Sequence, residues 1–182
     1  MRFSDIKPFT PTGNYAVDIS LKYLPKAIKE YETDYGLELN PDFQRGNVWT
    51  REQQIAYLEF FFRGGKSGRD IYFNQPETAD TDIPNMVCVD GLQRLTAFLG
   101  FMNNEIPIFG GHYYKDFEDG LRQTEHALRI HINNLQWRKD VLQWYLEMNT
   151  GGTVHSKEEL ERVAKLYEKE CKHNTRSEME LA

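Results

Sequence analysis

The sequence predicts an α/β protein in which short strands and amphipathic helices build one hydrophobic core. A fully apolar run at 86–89 passes directly into a segment with helical periodicity, as expected for a buried strand followed by a helix. The chain from 139 onward repeats apolar residues at helical spacing, so its C-terminal part is expected to be helical. Further strands are expected at the shorter apolar or alternating runs 16–20, 70–74, 105–109 and 127–132.

Length and composition suit a single domain. With 182 residues we expect one domain over 1–182, with its core within about 16–166 and a frayed tail at 172–182. Hydrophobic residues make up 40% and charged residues 27%, which is the balance of a globular protein. A net charge of −6 argues against nonspecific coating of DNA through bulk positive charge, although it leaves a local basic groove open.

Capping residues mark the helices of the first half. Ser20 is expected to cap a helix over about 21–33, because apolar residues recur on one face after it. Thr50 is a good N-cap with Gln53 at the capping-box position, so a second helix is expected over about 51–62.

The second half is built around the apolar strand. Because both faces of 86–89 are apolar, this strand is expected to be central and buried. A helix over about 91–102 and a strand at 105–109 follow it. A helix at 139–149 and a capping-box helix at 156–171 complete the chain.

Several function classes find no support in the residue types. Cys88 and Cys171 form no CxxC or Cys/His cluster, so zinc is not indicated, and Cys88 is expected to be a small core residue. The histidines show no metal-binding spacing, and no serine lies in a GxSxG turn. No apolar stretch reaches the ~20 residues that span a membrane, and no signal-peptide pattern is present, so a cytoplasmic location is expected.

The step from strand to helix at 89–94 is the strongest candidate for a functional site. Gly91 lets the chain turn tightly and approach a ligand closely. The new helix offers unpaired N–H groups and the positive end of its dipole, so Gly91 and Leu92 are expected to bind phosphate. Arg94 would clamp phosphate oxygens, and Gln93 would position a water or hydroxyl.

Asp90 has two functional interpretations and one structural alternative. It would hold Mg²⁺ together with phosphate oxygens, or act as a base. In the structural alternative Asp90 only caps the helix and Arg94 forms a surface ion pair. The residues alone do not decide between a functional and a purely structural role for Asp90.

Two other segments contribute candidates. Gln44 and Arg45 interrupt an apolar sequence and would face a γ-phosphate or its acceptor, or else form a solvated turn. Asn149 and Thr150 precede two glycines and would close over a nucleotide, or else simply end a helix.

The loop 63–69 is rich in glycine and basic residues, but it is not a Walker A motif. That motif needs a glycine at the position of Phe60, and it follows a strand, whereas this loop follows a helix. Arg69 would contact phosphate as part of a flexible basic loop, or else belong to a plain surface loop.

Three motifs in order resemble a known family. The segment 41–54 is similar to its YQR-x-x-x-W opening followed by a helix. The segment 89–96 is similar to its DGQQRLT signature, with Leu92 in place of the first Gln. The segment 145–156 is similar to its F-x-x-x-N-x-x-G-x-x-L-S element, with His155 in place of Leu. The family stands at the N-terminus of GmrSD-type modification-dependent restriction systems, within the ParB/sulfiredoxin superfamily.

The resemblance implies a fold and an activity. The fold would be a ParB/sulfiredoxin-like small mixed sheet flanked by helices, with a helical C-terminal part. The activity would be Mg²⁺-dependent use of a nucleoside triphosphate (ATP, GTP or CTP), as an NTPase or as a kinase acting on a hydroxyl such as a hydroxymethylated base in DNA. The implied partners are a nucleotide and DNA, either plain or modified, with no membrane, in DNA modification or defence.

Two other functions remain open. The first is a non-catalytic module that senses a nucleotide or binds a protein. The second is a DNA nuclease. It ranks lowest because the sequence shows no clustered Asp/Glu/Lys signature. Since the restriction proteins carry a further nuclease domain and this chain ends at Ala182, we expect a stand-alone enzyme, as a homo-oligomer, or a partner subunit.

Overall fold

The computed structural model confirms the predicted α/β class. It describes residues 1–6, 15–44, 46, 48–76, 85–122, 125–150 and 157–180. The strands are Tyr15–Ser20 (β1), Asp70–Asn74 (β2), Val87–Asp90 (β3) and Ala127–Asn133 (β4). The helices are Leu24–Asp34 (α1), Arg51–Phe62 (α2), Leu92–Met102 (α3), Arg138–Thr150 (α4) and Lys157–Glu180 (α5), with short 3₁₀ turns at Phe3–Asp5 and Tyr114–Asp116.

The four strands form one mixed sheet in the order β1-β4-β2-β3. The inner strand β4 pairs antiparallel with β1 and parallel with the other inner strand, β2, and β2 pairs antiparallel with β3. The small mixed sheet that the family resemblance implied is therefore present.

The predicted central position of the apolar strand was wrong, because β3 lies at an edge of the sheet. Its outer side is nevertheless covered: Glu38 forms a parallel bridge with Val87, and the Gln44 side chain donates to the carbonyls of Cys88 and Val89. The three apolar residues of β3 are therefore buried although a strand pairs with β3 on one side only.

Helices pack on both faces of the sheet, which divides the core into two clusters. One face packs against α1, α2 and α3, and the larger cluster there includes Ile71, Phe73, Leu95, Phe98 and Ile130. The opposite face of β3 packs against α4 and α5, where the second cluster includes Val87, Val89, Val141, Tyr145 and Val163. Cys88 is fully buried in the larger cluster, as predicted.

The start of α2 confirms the capping box. The Thr50 hydroxyl accepts from the N–H of Gln53 at 3.3 Å, and the Gln53 carbonyl oxygen of the side chain accepts from the N–H of Thr50 at 2.9 Å. The reciprocal pair satisfies two N–H groups that a helix cannot satisfy internally, so α2 begins where the sequence predicts.

The start of α1 and the strand predicted at 105–109 differ from the sequence prediction. Helix α1 begins at Leu24, because residues 21–23 form a turn in which the Tyr23 N–H donates to the Ser20 carbonyl. The strand predicted at 105–109 is absent from the described segment 85–122. There the N–H groups of Glu105 and Ile106 both donate to the Gly100 carbonyl, so they close the C-terminus of α3 instead of pairing with a strand.

The last helix is longer than predicted. It runs to Glu180 rather than ending near Cys171, although its final residues carry few apolar side chains. Within the described part of the chain, no helix is both long and apolar enough to cross a bilayer.

Candidate functional site

The turn between β3 and α3 requires glycine for two reasons. Gly91 is the N-cap of α3 and has φ of 101°, a conformation that L side chains rarely adopt. A Cβ atom there would lie 2.5 Å from Cδ1 and 3.2 Å from Cα of Ile71. The predicted tight turn is confirmed, and the close approach that it allows in this structure is to strand β2.

The first amides of α3 do not all face the same surroundings. The N–H of Leu92 interacts with the buried thiol of Cys88: burial raises the pKa of this thiol, and the Leu92 N–H partly opposes that rise. The amides of Gln93 and Arg94 lie in the first turn, where a helix has no internal acceptor for them. The N-cap residue, Gly91, has no side chain to cap the helix, so these two amides are available to an anion.

Asp90 and Arg94 form an ion pair across the first turn of α3. One guanidinium nitrogen, Nη2 of Arg94, lies 2.6 Å from Oδ2 of Asp90, and the two side chains are 36% and 23% exposed for Asp90 and Arg94, respectively. Nε of Arg94 is buried and has no hydrogen-bond partner among the described residues. The ion pair of the structural alternative is present, but Gly91 rather than Asp90 is the N-cap. The Nε–H donor of Arg94 remains unused among the described residues.

Gln93 connects the strand–helix step at residues 89–94, which we call the corner, to the loop before α2. Its Oε1 accepts from the N–H groups of Val48 at 2.9 Å and Trp49 at 3.0 Å, and its Nε2 donates to the carbonyl of Gly46 at 2.5 Å. Both lone pairs of Oε1 are therefore occupied. The predicted role of Gln93 in positioning water or a hydroxyl stays a prediction, and it would compete with these bonds.

Gln44 lies in the same loop, which we call the motif loop (residues 41–50). Its Nε2 donates to the carbonyls of Cys88 at 3.1 Å and Val89 at 2.7 Å, on the outer side of β3. From the other side, the guanidinium of Arg162 in α5 donates to carbonyls of this loop, including that of Gln44. The structure thus places Gln44 beside β3, and Arg45 lies outside the described residues.

The guanidinium of Arg69 is bound by two backbone carbonyls and an aromatic ring. Its Nε donates to the Gly65 carbonyl at 2.9 Å, its Nη1 donates to the Glu125 carbonyl at 2.7 Å, and its guanidinium lies 4.2 Å from the ring centre of Phe61. It also lines an open cavity of about 900 Å³ between α1 and the β1–β4 side of the sheet. Arg69 does not contact Asp90 or Arg94 directly, although Gly68 beside it lies next to the Arg94 side chain. Burial raises the pKa of Tyr57, and the charges of Arg94 and Arg69 both oppose that rise. The phosphate contact of Arg69 stays a prediction.

The end of α4 supplies the last two predicted residues. The side-chain amide of Asn149 donates to the Tyr145 carbonyl at 2.6 Å, which is a bond within the helix. Thr150 is the final residue of α4, and the glycines after it lie outside the described residues. The predicted closure of this segment over a nucleotide therefore stays a prediction.

Sequence reasoning missed a polar cluster on the sheet beside the corner. Nε2 of His131 lies 2.7 Å from Oδ1 of Asp70, and the His131 ring stacks on Tyr72 at 4.6 Å with an interplanar angle of 11°. Burial raises the pKa of Tyr72, and the charges of Asp70 and Asp90 raise it further, whereas Arg94 lowers it. The charges of Asp90 and Arg94 therefore influence the pKa of Tyr72.

A signal for this cluster lies in the strand patterns. In β2 the buried Ile71 and Phe73 alternate with Asp70 and Tyr72, and in β4 His131 stands between two buried isoleucines. Such alternation places the polar residues on one face, but the order of the strands was needed to bring them together.

A metal site made by protein ligands alone is not apparent in this region. Among the described residues, no group of three or more His, Cys, Asp or Glu side chains is placed to hold a metal ion. A single carboxylate such as Asp90 can still contribute to Mg²⁺ binding when phosphate oxygens and water supply the other ligands.

Comparison with known proteins identifies one family. The model of the GmrSD restriction endonuclease N-terminal domain matches residues 25–180. Neither the curated proteins nor the solved structures give a match. The matched range contains the whole corner from β3 to α3 and nearly all of the five helices, of which α1 begins one residue earlier.

Replacing Gly91 with alanine should destabilise the fold. The added Cβ must occupy the space of Ile71 at a positive φ, so we expect a loss of roughly 2–4 kcal/mol in the free energy of unfolding. Urea unfolding followed by circular dichroism measures this loss.

Gly64→Ala is the matched control, because Gly64 has φ of 90° but nothing lies within 4 Å of the position that an added Cβ would take. It should lose only the conformational part, about 1 kcal/mol. Equal losses at both positions would show that the contact with Ile71 is not what requires glycine.

Gln93→Ala should loosen the motif loop. Removing three hydrogen bonds and leaving their backbone partners unsatisfied is expected to cost roughly 2–3 kcal/mol. The amide protons of Val48 and Trp49 should exchange faster with solvent, which nuclear magnetic resonance detects.

The control for this substitution is Gln143→Ala, which removes only an exposed bond to Glu147 within α4. Its unfolding free energy and the loop exchange rates should match the wild type. Unchanged exchange at Val48 and Trp49 in Gln93→Ala would contradict the tethering role.

Proposed function

The chain belongs to the GmrSD restriction endonuclease N-terminal domain family, and we propose that it is a Mg²⁺-dependent nucleoside-triphosphate enzyme serving DNA modification or defence. The observation that carries the proposal is the uncapped N-terminus of α3, where Arg94 keeps a buried, unpartnered Nε next to the carboxylate of Asp90. Such a terminus favours anions, and a guanidinium favours phosphate in particular.

Charge balance supports the joint binding of phosphate and Mg²⁺. In the structure Asp90 neutralises Arg94, so an added phosphate must compete with a carboxylate 2.6 Å from the guanidinium. A cation taken up by Asp90 would release Arg94 for the phosphate. Because no cluster of three acidic or other ligating side chains occurs among the described residues, Mg²⁺ is expected to bind together with the nucleotide rather than alone.

The residues at the corner would contribute mainly by positioning and charge. Arg94 and the amides of Gln93 and Arg94 would hold the triphosphate, and Asp90 would hold the cation, which neutralises charge on the transferred group. The acceptor is then water, in an NTPase, or a hydroxyl such as that of a hydroxymethylated base in DNA, in a kinase. A corner that contacts phosphates alone does not distinguish ATP, GTP and CTP.

A second candidate function is a nucleotide-sensing or protein-binding module without turnover. The observation that favours it is the engagement of Gln44 and Gln93 in holding the motif loop. Phosphate bound at α3 would then act on that loop through Gln93. DNA, a second copy of the chain or another subunit would be the partner that responds.

Calorimetric titration with ATP, GTP and CTP, with and without Mg²⁺, tests the proposed function. At least one triphosphate should bind, and Mg²⁺ should strengthen its binding. Arg94→Gln should weaken binding tenfold or more, since a charge-assisted hydrogen bond contributes about 1.5–3 kcal/mol. Asp90→Asn should still bind the triphosphate, but Mg²⁺ should no longer strengthen its binding.

Arg122→Gln serves as the control, because it removes an arginine from an exposed ion pair with Glu125 that contacts neither Asp90 nor Arg94. Its affinity should equal that of the wild type. Phosphate release or transfer to hydroxymethylated DNA then separates the enzyme from the sensing module. If none of the three triphosphates binds the wild-type protein with Mg²⁺, the proposal is wrong.

A further inference from the structure

One face of the sheet beside the corner is only partly covered by helices. Helices α4 and α5 pack over β3 and against Tyr72 of β2. On the β1–β4 side of the same face, Asp18 and Arg129 are exposed and paired with each other, and the β1 neighbour of His131 is the small, exposed Ala16. The imidazole of His131 can therefore be reached from solvent.

His131 is held in a defined orientation. Its Nε2 lies 2.7 Å from the carboxylate of Asp70, and one face of its ring is stacked on Tyr72. When the carboxylate of Asp70 is ionised, it can only accept this hydrogen bond from an Nε2–H group, which leaves Nδ1 as the nitrogen that can take up a proton. A carboxylate that holds one ring nitrogen of a histidine leaves the other nitrogen oriented to act as a general base; here the held nitrogen is Nε2, the reverse of the Ser-His-Asp triad.

Strand register places His131 in line with the corner. His131 pairs with Tyr72 across β4 and β2, and Tyr72 pairs with Asp90 across β2 and β3. Two strand spacings, roughly 10 Å in all, thus separate the backbones of His131 and Asp90. A triphosphate held at the corner would have to extend past Tyr72, whose ring stacks on His131 and meets Trp144 of α4 edge-on, for its γ-phosphoryl group and the attacking oxygen to lie near His131.

We propose that His131 is the general base of the phosphoryl transfer and that Asp70 is the residue that positions its ring. The inference rests on the proposed function. In the step, the acceptor oxygen forms a bond to the γ-phosphorus, and the bond from that phosphorus to the bridging oxygen breaks. The electron pair of the broken bond leaves with the nucleoside diphosphate, and the acceptor proton moves to Nδ1 of His131.

The charged and titratable groups that face His131 come from each strand packed beside it. On β2 these are Asp70 and Tyr72, and on β1 Asp18 lies close enough for the two groups to interact electrostatically. Arg129 on β4 itself pairs with Asp18. Asp70 is therefore the carboxylate that contacts the ring, whereas Asp18 is engaged by Arg129.

The test compares His131→Gln with the wild type in both binding and turnover. His131→Gln should bind Mg²⁺ and the triphosphate with unchanged affinity, because it touches neither Asp90 nor Arg94. Its turnover should fall by a factor of about 10² or more, the usual contribution of general-base catalysis. Asp70→Asn should show a smaller loss of turnover, again without a loss of affinity.

Two further measurements separate catalysis from a structural role. Free imidazole should restore part of the turnover of His131→Ala, which would not occur if the side chain only stabilised the sheet. Adding Mg²⁺ with a non-hydrolysable triphosphate analogue to the wild type should shift the imidazole resonances of His131. The resonances of His126, which packs against Phe62 on the opposite face, should not move.

The possible results distinguish this inference from the proposed function. Turnover of His131→Gln at the wild-type rate, or an unshifted His131 resonance with analogue bound, overturns the inference and leaves the proposed function standing. Binding without turnover in the wild type overturns both the inference and the proposed enzyme, and leaves the nucleotide-sensing module. If no triphosphate binds at all, both proposals are wrong.

Discussion

The contact between Gly91 and Ile71 is the constraint on which the candidate site depends. Because residue 91 lacks a Cβ, the chain passes against β2 and starts α3 directly after β3. The first turn of α3 is thereby held at the edge of the sheet, next to the side chains of Tyr72 and Asp90.

The family signature combines structural and chemical residues. Gln93 and Gln44 make hydrogen bonds to the backbone that join the corner, the motif loop and the outer side of β3. Asp90 and Arg94, in contrast, bond mainly to each other and are partly exposed. The glutamines would therefore build the site, whereas the ion pair would exchange its partners for phosphate and a cation.

Much of the fold could be predicted from local patterns. The capping box at Thr50 located α2, and the apolar run before Gly91 located β3 and α3, since the causes of these elements lie within a few residues. The edge position of β3 could not be predicted, because Gln44 and Glu38 cover it from distant parts of the chain.

The candidate site was predictable to a similar degree. Asp90, Gly91 and Arg94 lie close together at a strand–helix step, whereas only the pairing of β2 with β4 brings Asp70 to His131.

The most direct measurement of the central claim is a map of backbone amide chemical shifts in the ¹⁵N-labelled wild-type protein on addition of Mg²⁺ and each triphosphate. If the corner is a phosphate site, the largest shifts should occur at the amides of Gln93 and Arg94 and spread to Val48 and Trp49 through the Gln93 side chain. Shifts confined to the cavity between α1 and β1, around Asp18 and Arg69, would contradict this account, as would no shifts at all.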